Sequence, residues 1–422
     1  EFREIGLVNA DGSRASDLLY QLREDEDGRW LFLAHGKKPE KGKDTIGKEI
    51  ILTLRGEWKA ELYDTLSGEI RPLSSSYQEE GTVLPLLLYT HDSVLLRLTR
   101  GRNEKTEKEA CGECVSEIPV PIPEENAYTL SEPNVLLLDT AQYRLDDEAW
   151  QPEEEILRLD HLCRRKLDWH GGLQPWLIPD EAPEHTLSLR FRVHSDIERD
   201  DIHLALENLQ KTEIRWNGNA VPGKASGWYV DRDIRTVLLP PLKKGENILE
   251  LTMPFERKVN TEWCYLLGSF GVCVQGSEKR LTEPAKALGF SDIVPQTLPF
   301  YSGKVTYHIP FWTPAGGTLS VCAAEYNAAL LKGRVDDGES HVIAFAPYAM
   351  KTKVPAGCHI LHLTAFINRT NGFGPVHHAG RNVSWFGQEA WKTTGSEWTY
   401  EYVLRKEGIL SAPVLTLRPH ED

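Results

Sequence analysis

The sequence predicts an all-β protein made of three tandem β-sandwich domains, of which the last two are of the jelly-roll type. Short apolar runs of strand length are separated roughly every ten residues by Gly, Pro or Asp-Gly, a spacing typical of β-sandwiches. Asn217-Gly218 and Asp337-Gly338 stand between such runs and predict hairpins, because these residue types tolerate a positive φ. At 422 residues the chain exceeds one ordinary core, and roughly three domains are expected.

The first predicted domain spans residues 1–132 and is all β. Only the short stretch 15–23 has a helical pattern. The stretch 101–132 is charged and then proline-rich, which is the composition of a loop or linker. The strands are predicted within the runs WLFLAH, EIILTLRG, WKAELYDTLSGEI, TVLPLLLYT and SVLLRLTRG.

The second predicted domain spans residues 133–286 and opens with the strand-like run NVLLLDT. A helix is predicted over 146–165, because acidic residues come first and the basic run Arg164-Arg165-Lys166 stands near its end. Further strands are predicted within LSLRFRVHS, IHLALEN, TEIRWNGNAV, TVLLPPL, NILELTMPF and YLLGSFGVCV.

The third predicted domain spans residues 287–422 and repeats the second. GENILELT (Gly245–Thr252) aligns with GCHILHLT (Gly357–Thr364), and LRFRV falls opposite VTYHI. The RWNGN turn likewise falls opposite RVDDGE. We interpret the two domains as tandem copies of one sandwich. The alternative is chance similarity between β-sequences.

The charge and hydropathy exclude two classes of partner. A net charge of −15 argues against nucleic acid, because such a chain would release few counterions from phosphates. No apolar run approaches the roughly 20 residues of a membrane span. Neutral or weakly charged partners are therefore expected.

The seven cysteines predict no metal or cofactor site. Cys111 and Cys114 form a single CxxC in a polar loop, without a second pair or a histidine at zinc spacing. An odd number of cysteines leaves at least one unpaired within the chain, and the other five resemble buried small apolar residues, which mildly favours a reducing compartment. The chain begins at Glu1 without Met, and the simplest expectation is a fragment of a longer protein.

Candidate catalytic residues are few. A glycosidase needs two carboxylates roughly 5–10 Å apart, and Glu262 and Asp139 are the best placed. Each is more simply explained as a polar residue at a strand edge. No GxSxG, HExxH or P-loop motif occurs.

Aromatic and amide side chains in the third domain suggest a recognition surface. Flat aromatic rings pack on the apolar face of a pyranose, while Asn, Arg and His hydrogen-bond its hydroxyls. The alternative is that the aromatic residues pack in the core or between domains. The predicted sugar-binding residues are Asn368, Asn371, Phe373, His377, His378, Arg381 and Trp385, with Trp312 and Tyr326.

Several segments resemble large bacterial glycoside hydrolases with family 2-type sugar-binding, galactose-binding-like domains, including the α-L-rhamnosidase-like group. LPFYSGKVTYHI, FINRTNGFGPVHH, WFGQEAW and WTYEYVL resemble such a domain, and NVLLLDTAQY and EWCYLLGSFGV resemble the segment before it. WLFLAH and WKAELYDTLSGEI resemble the β-sandwich that follows the catalytic barrel in those proteins. The resemblance covers nearly the whole chain.

The resemblance implies a C-terminal accessory region. In that family the catalytic carboxylates lie on a (β/α)8 barrel, and nothing here alternates strand and helix eight times. No family catalytic residue can therefore be assigned to this sequence, and the binding residues named above rest on the loops alone. The expected partners are a glycan and the catalytic domain of the parent protein. Two alternatives remain: a glycosidase with its site between the sandwiches, and a purely structural spacer.

Overall fold

A computed structural model of the chain describes residues 4–37, 46–78, 81–102, 117–169, 182–258, 261–380 and 391–420. Within these ranges the regular secondary structure is almost entirely antiparallel β, with one α-helix of 11 residues, one helical turn of four and a 3-10 helix at Leu209–Lys211. The predicted all-β class is confirmed. The buried apolar side chains form three separate clusters, each shared by facing sheets.

The first sandwich comprises two sheets over one core of residues 5–98. The sheet orders are β1-β4-β8-β7 and β2-β3-β9-β5-β6. The helical expectation for 15–23 is wrong, because Leu18–Asp25 pairs along its whole length with the next strand. The strands are β1 (Ile5–Asn9), β2 (Leu18–Asp25), β3 (Gly28–His35), β4 (Lys48–Leu54), β5 (Trp58–Tyr63), β6 (Ile70–Pro72), β7 (Ser76–Gln78), β8 (Gly81–Leu88) and β9 (Ser93–Arg100).

The second sandwich consists of two facing sheets. One has the strand order β12-β22-β16-β20-β19, and the other has the order β14-β13-β15-β21-β17-β18 and is extended by β23 and β24. Its elements are β12 (Asn134–Leu138), β13 (Thr140–Leu145), β14 (Gln151–Glu155), α1 (Ile156–Lys166), β15 (His185–Ser195), β16 (His203–Leu206), β17 (Glu213–Trp216), β18 (Asn219–Val221), β19 (Gly227–Tyr229), β20 (Asp231–Leu238), β21 (Gly245–Phe255), β22 (Cys264–Gly268), β23 (Gly271–Gln275) and β24 (Glu278–Thr282).

The helix predicted over 146–165 begins later than expected. Residues 151–155 form β14, which pairs with β13, and α1 starts only at Ile156. The Glu155 carboxylate accepts a hydrogen bond from the Arg158 N–H at 3.0 Å, so this side chain caps the helix.

The third sandwich also consists of two facing sheets. Their strand orders are β10-β34-β27-β31 and β25-β11-β26-β32-β29-β30. Its elements are β10 (Ile118–Val120), β11 (Glu125–Leu130), β25 (Leu288–Gly289), β26 (Lys304–Thr313), β27 (Gly317–Cys322), β28 (Tyr326–Asn327), β29 (Leu331–Val335), β30 (Ser340–Ile343), β31 (Ala349–Val354), β32 (Gly357–Phe366), α2 (Thr370–Phe373), β33 (Gly408–Ile409) and β34 (Val414–Pro419).

The second and third sandwiches share one strand order. The orders β13-β15-β21-β17-β18 and β11-β26-β32-β29-β30 correspond strand by strand, as do β12-β22-β16-β20 and β10-β34-β27-β31. Gly245 pairs with Ser195, and Gly357 pairs with Thr313 at the equivalent place, both glycines having a positive φ. This correspondence supports the interpretation of two copies of one sandwich.

The two copies are nested in the chain. From the sequence, residues 101–132 are expected to be linker at the end of the first domain, but 118–120 and 125–130 pair with β34 and β26 of the third sandwich. The second sandwich therefore interrupts the third. Proline-rich composition concealed these two strands, because it suggests loop whatever the pairing partner.

The two predicted hairpins form. Asn217 and Gly218 have φ values of 51° and 82° and make the two-residue turn between β17 and β18. In the hairpin of β29 and β30 the residue with positive φ is Asp336, at 46°, one position before the predicted dipeptide.

Candidate functional site

The connection between β32 and β33 spans residues 367–407, and we call its described parts, 367–380 and 391–407, the strap. The strap contacts the second sandwich. The Phe373 ring lies 5.1 Å from the Tyr265 ring and 5.8 Å from the Tyr229 ring, both in the second sandwich. Trp391 similarly packs on Trp263 at 5.1 Å. These aromatic residues of the strap therefore pack between sandwiches.

A buried carboxylate joins the strap to the second sandwich. Asp139 has no exposed surface and accepts hydrogen bonds from Tyr402 Oη at 2.7 Å and from His377 Nε2 at 2.8 Å, while Lys279 forms an ion pair with it. Burial by itself would raise the pKa of Asp139, but Lys279 and His377 outweigh it and hold this pKa well below its usual range. Asp139 is thus an ionised structural group that no sugar can reach in this structure.

Three other predicted binding residues shape the strap itself. Buried Asn371 donates to the Arg405 carbonyl at 2.8 Å and accepts from the Arg405 N–H at 2.9 Å. Buried His378 accepts from the Gly380 N–H through Nδ1 at 3.0 Å. Asn368 is partly buried and donates to Asn327 at 3.4 Å.

The predicted binding residues in the described part of the strap thus all make contacts within the protein. Asn371, His377 and His378 are buried, and Phe373 is covered on one side by two tyrosines. Arg381 and Trp385 lie outside the described residues, and their sugar-binding role stays a prediction.

Tyr326 also makes an internal contact. Its hydroxyl donates to the Ile343 carbonyl at 3.2 Å, and its ring meets Tyr348 edge-on at 5.9 Å. It lies on β28, which pairs with β33 at the end of the strap.

Trp312 is the predicted residue that the structure leaves open. On β26 the side chains of Tyr307, Ile309 and Phe311 point into the core, so the alternate Trp312 points outward and is 58% exposed. It borders an open groove of about 680 Å³. The groove is also lined by Pro121, Ile122, Pro123, Pro310, Phe311, Asp336, Cys358, His359 and Ile360.

An ionised carboxylate stands in this groove. Asp336 Oδ2 lies 2.7 Å from His359 Nδ1, and His359 Nε2 lies 3.1 Å from the Pro355 carbonyl. Burial would raise the pKa of Asp336, but the hydrogen bonds from His359 and from the Ile360 N–H, with the charges of nearby histidines, together outweigh it and lower the pKa. Because half of the Asp336 side chain is exposed, its carboxylate can accept hydrogen bonds from hydroxyl groups beside the indole ring.

Sequence reasoning missed most of the groove. The pattern of β26 points Trp312 outward, but Pro121 and Pro123 belonged to a presumed linker. From the sequence, Asp336 is only part of a predicted turn. A joint alignment of the two nested copies could have shown that 118–130 contains strands.

Glu262 lies at a different pocket, at one end of the second sandwich. The pocket is small, about 50 Å³, and Glu207 also lines it. Desolvation raises the pKa of Glu262 to about 7, and the charge of Glu207 adds to the effect. This carboxyl could exchange a proton near neutral pH, the property that the glycosidase alternative requires.

Neither a metal cluster nor a membrane helix is evident where the structure describes the chain. In those ranges no group of three or more His, Cys, Asp or Glu side chains is placed to hold a metal ion. None of the described helices has the length and apolar character needed to cross a bilayer. The cysteines Cys111 and Cys114 lie outside the described residues.

Comparison with known proteins gives only slight similarities. No known protein family and no curated protein matches the chain. A rhamnosidase from Novosphingobium sp. PP1Y aligns with 62% of this chain and 21% of its own, at 17% identity and a TM-score of 0.23. A GH2 β-galacturonidase from Eisenbergiella tayi aligns with 57% of this chain and 37% of its own, at 8% identity and a TM-score of 0.22.

An α-L-rhamnosidase from Streptomyces avermitilis, complexed with L-rhamnose, aligns with 94% of this chain and 39% of its own, at 11% identity and a TM-score of 0.25. The chain thus spans between a fifth and two fifths of the length of these three structures. All three are glycoside hydrolases. At TM-scores of 0.25 and below, the likeness assigns neither a family nor an activity to this chain.

Proposed function

We propose that the chain is a non-catalytic, carbohydrate-binding accessory region of a glycoside hydrolase, with its glycan stacked on Trp312. The observation that carries this proposal is the indole of Trp312, 58% exposed beside an open groove on the outer face of the third sandwich. A large exposed aromatic residue on a sheet face is costly in water and suits a flat, partly apolar ligand.

The groove offers what a pyranose ring requires. The indole covers the apolar C–H face of the sugar, and the side chains of Pro121, Pro123 and Pro310 add apolar surface to the groove. Asp336 supplies an ionised acceptor for hydroxyl groups. Since each hydroxyl bond replaces one to water and the groove is open, we expect weak binding, with a dissociation constant of about 0.1–1 mM.

The buried position of Asp139 supports a non-catalytic role. It was one of two candidate acids, and it is sealed in a structural network. We propose that the catalytic partner is a separate domain of the parent protein. The accessory region would hold a glycan near that domain and so raise the effective concentration of the glycan at the catalytic site.

Glycan titration of Trp312 variants tests the proposal. We expect Trp312→Ala to weaken glycan binding at least tenfold and Trp312→Phe to retain part of it, because a flat ring remains. Isothermal calorimetry or affinity electrophoresis against a glycan panel measures both. The matched control is Trp228→Ala, which removes an indole of similar exposure, 55%, from β19 of the second sandwich and should bind like the unmodified chain.

Two results would contradict the proposal. One is unchanged binding by Trp312→Ala, or no binding of any glycan by the unmodified chain. The other is turnover of aryl-glycosides by the unmodified chain that Glu262→Gln abolishes, which would establish the glycosidase alternative.

A further inference from the structure

The outer face of the large sheet of the third sandwich is basic in its central strands. Outward positions alternate with core positions on β26, β32 and β29. None of the outward positions of these three strands holds Asp or Glu. The outward residues that can carry positive charge are Lys304, Lys332, Arg334, His308 and His362.

These side chains form rows across the sheet. His308 pairs with His362, which pairs in turn with Arg334 on the next strand. The two imidazole Nδ1 atoms lie 2.8 Å apart. In the neighbouring row Thr364 pairs with Lys332. The basic groups of β29 therefore stand beside a surface of imidazole and hydroxyl groups.

The charges close to these rows matter more for binding than the net charge of the chain, and they include the acidic residues Asp336, Asp337 and Glu339 of the turn after β29. The net charge is −15, but at physiological salt charges more than roughly 8–10 Å apart are largely screened. Arg334 does lie 3.7 Å from Asp337, yet the Asp337 side chain is fully exposed. Such exposed pairs contribute little, so Arg334 can exchange this partner for a ligand.

The basic rows continue the surface of the Trp312 groove. Trp312 and His308 lie four residues apart on β26, which is roughly 13 Å along a strand. Arg334 lies two strands away from His308, roughly 10 Å across the sheet. A single sugar ring cannot span this separation, so a ligand that contacts both Trp312 and Arg334 must be a polysaccharide or oligosaccharide.

The charge is unevenly distributed along this surface. The groove end carries the ionised Asp336 carboxylate, which repels anions. The far end carries Lys332 and Arg334, and guanidinium groups form strong charge-assisted hydrogen bonds with carboxylates. A polysaccharide would therefore place the uncharged face of one sugar ring on Trp312 and its acidic groups near Arg334.

We infer that the ligand of this face is an anionic glycan chain, with one sugar ring on Trp312 and carboxylates of neighbouring sugars at Arg334 and Lys332. This inference rests on the proposed function and narrows it to a substrate class. It also departs from the neutral partner that the overall charge suggests.

Matched pairs of polysaccharides test the inference by affinity electrophoresis. The probes are pectate against methyl-esterified pectin, and carboxymethylcellulose against hydroxyethylcellulose, which differ within each pair chiefly in charge. We expect at least one acidic probe to bind tenfold or more tightly than its uncharged counterpart. Raising the salt concentration should weaken only the binding of the acidic probe.

Variants locate the effect on the sheet. We expect Lys332→Gln combined with Arg334→Gln to remove the preference for the acidic probe, with roughly a tenfold loss for each charge-assisted bond. The control, Lys351→Gln combined with Lys353→Gln, removes the same charge from exposed positions of β31 in the opposite sheet and should keep the preference.

The outcomes distinguish failure of this inference from failure of the proposed function. If the uncharged probes bind as well as the acidic ones, or if the Lys332 and Arg334 variant keeps its preference, the inference is wrong and the proposed function stands. If no probe binds the unmodified chain, the inference is rejected, and the glycan panel alone decides the proposed function.

Discussion

Glu407 is a buried acid at the point where the strap rejoins the third sandwich. It is 2% exposed, and neither carboxyl oxygen has a hydrogen bond of good geometry. Burial raises the pKa of Glu407 to about 8, and the nearby Asn368 opposes this only in part. The folded protein therefore holds this group in its protonated form at neutral pH.

The raised pKa of Glu407 makes the free energy of unfolding fall as the pH rises. The unfolded chain releases this proton near the ordinary value of 4.5, whereas the folded protein keeps it until pH about 8. The stability is fully present below pH 4.5 and declines as the pH rises towards 8, by up to roughly 1.4 kcal/mol per pH unit. Glu407→Gln carries no ionisable group and should escape this decline.

Urea unfolding at pH 5, 6.5 and 8 measures the effect. We expect the difference in unfolding free energy to move steadily in favour of Glu407→Gln as the pH rises. Glu397→Gln, at an exposed position of the strap, should follow the unmodified chain. Parallel pH profiles for Glu407→Gln and the unmodified chain would show that the carboxyl does not titrate in this way.

At the scale of single residues, type and spacing predict the site only in part. Trp312 and Phe373 are both large aromatic residues in the third sandwich, and both were predicted to bind sugar. The strand pattern of β26 turns Trp312 outward, and that pattern is local. The cover over Phe373 comes from Tyr229 and Tyr265 of another sandwich, far away in sequence. Such long-range contacts leave no mark on local spacing.

The strap, as an element, is held by a buried ionic contact. Asp139 accepts from His377 and Tyr402 of the strap, and its ion pair with Lys279 lies within the second sandwich. The Lys279 side chain is only 12% exposed. Removal of the carboxylate would leave this ammonium group buried without its counter-charge, which costs about 3–5 kcal/mol.

We therefore expect Asp139→Ala to lower the unfolding free energy by about 3–5 kcal/mol and to speed hydrogen exchange in the strap. Denaturant unfolding and hydrogen-exchange mass spectrometry measure the two effects. The matched control is Asp196→Ala, which breaks an exposed ion pair with Arg280 and should cost no more than about 1 kcal/mol. Equal losses in both variants would show that burial of the Asp139 network adds nothing.

At the scale of elements, local signals predicted hairpins well and missed pairings between distant strands. Asn217-Gly218 forms the expected turn because its positive φ values suit these two residue types. The strands 118–120 and 125–130 were missed, since their partners in β34 and β26 follow the whole second sandwich. Their prolines also suggested a loop. Topology that depends on such distant partners is not encoded in local composition.

Because the second sandwich is inserted into the third, it is attached to the third at both of its ends. The chain leaves the third sandwich after β11 and returns at β25, and β11 pairs with both β25 and β26. We call the place where the chain passes between the two sandwiches, near Ser131 and Lys304, the neck. Buried Tyr301 joins its two strands, since the Tyr301 hydroxyl donates to the Lys304 carbonyl at 2.8 Å and accepts from the Ser131 N–H at 3.1 Å. Unfolding of the third sandwich would release both ends of the second.

We expect the second and third sandwiches to unfold together and the first to unfold separately. The first has its own apolar core, whereas the other two are joined by the neck and by the Asp139 network. Hydrogen-exchange mass spectrometry across a urea titration should show β15 and β26 losing protection at one urea concentration and β3 at another. In Asp139→Ala the transitions of β15 and β26 should move apart, because the buried ionic contact is lost and the neck and the aromatic contacts of Phe373 and Trp391 remain. Independent transitions for all three sandwiches in the unmodified chain would mean that nesting and the buried network do not couple the second sandwich to the third.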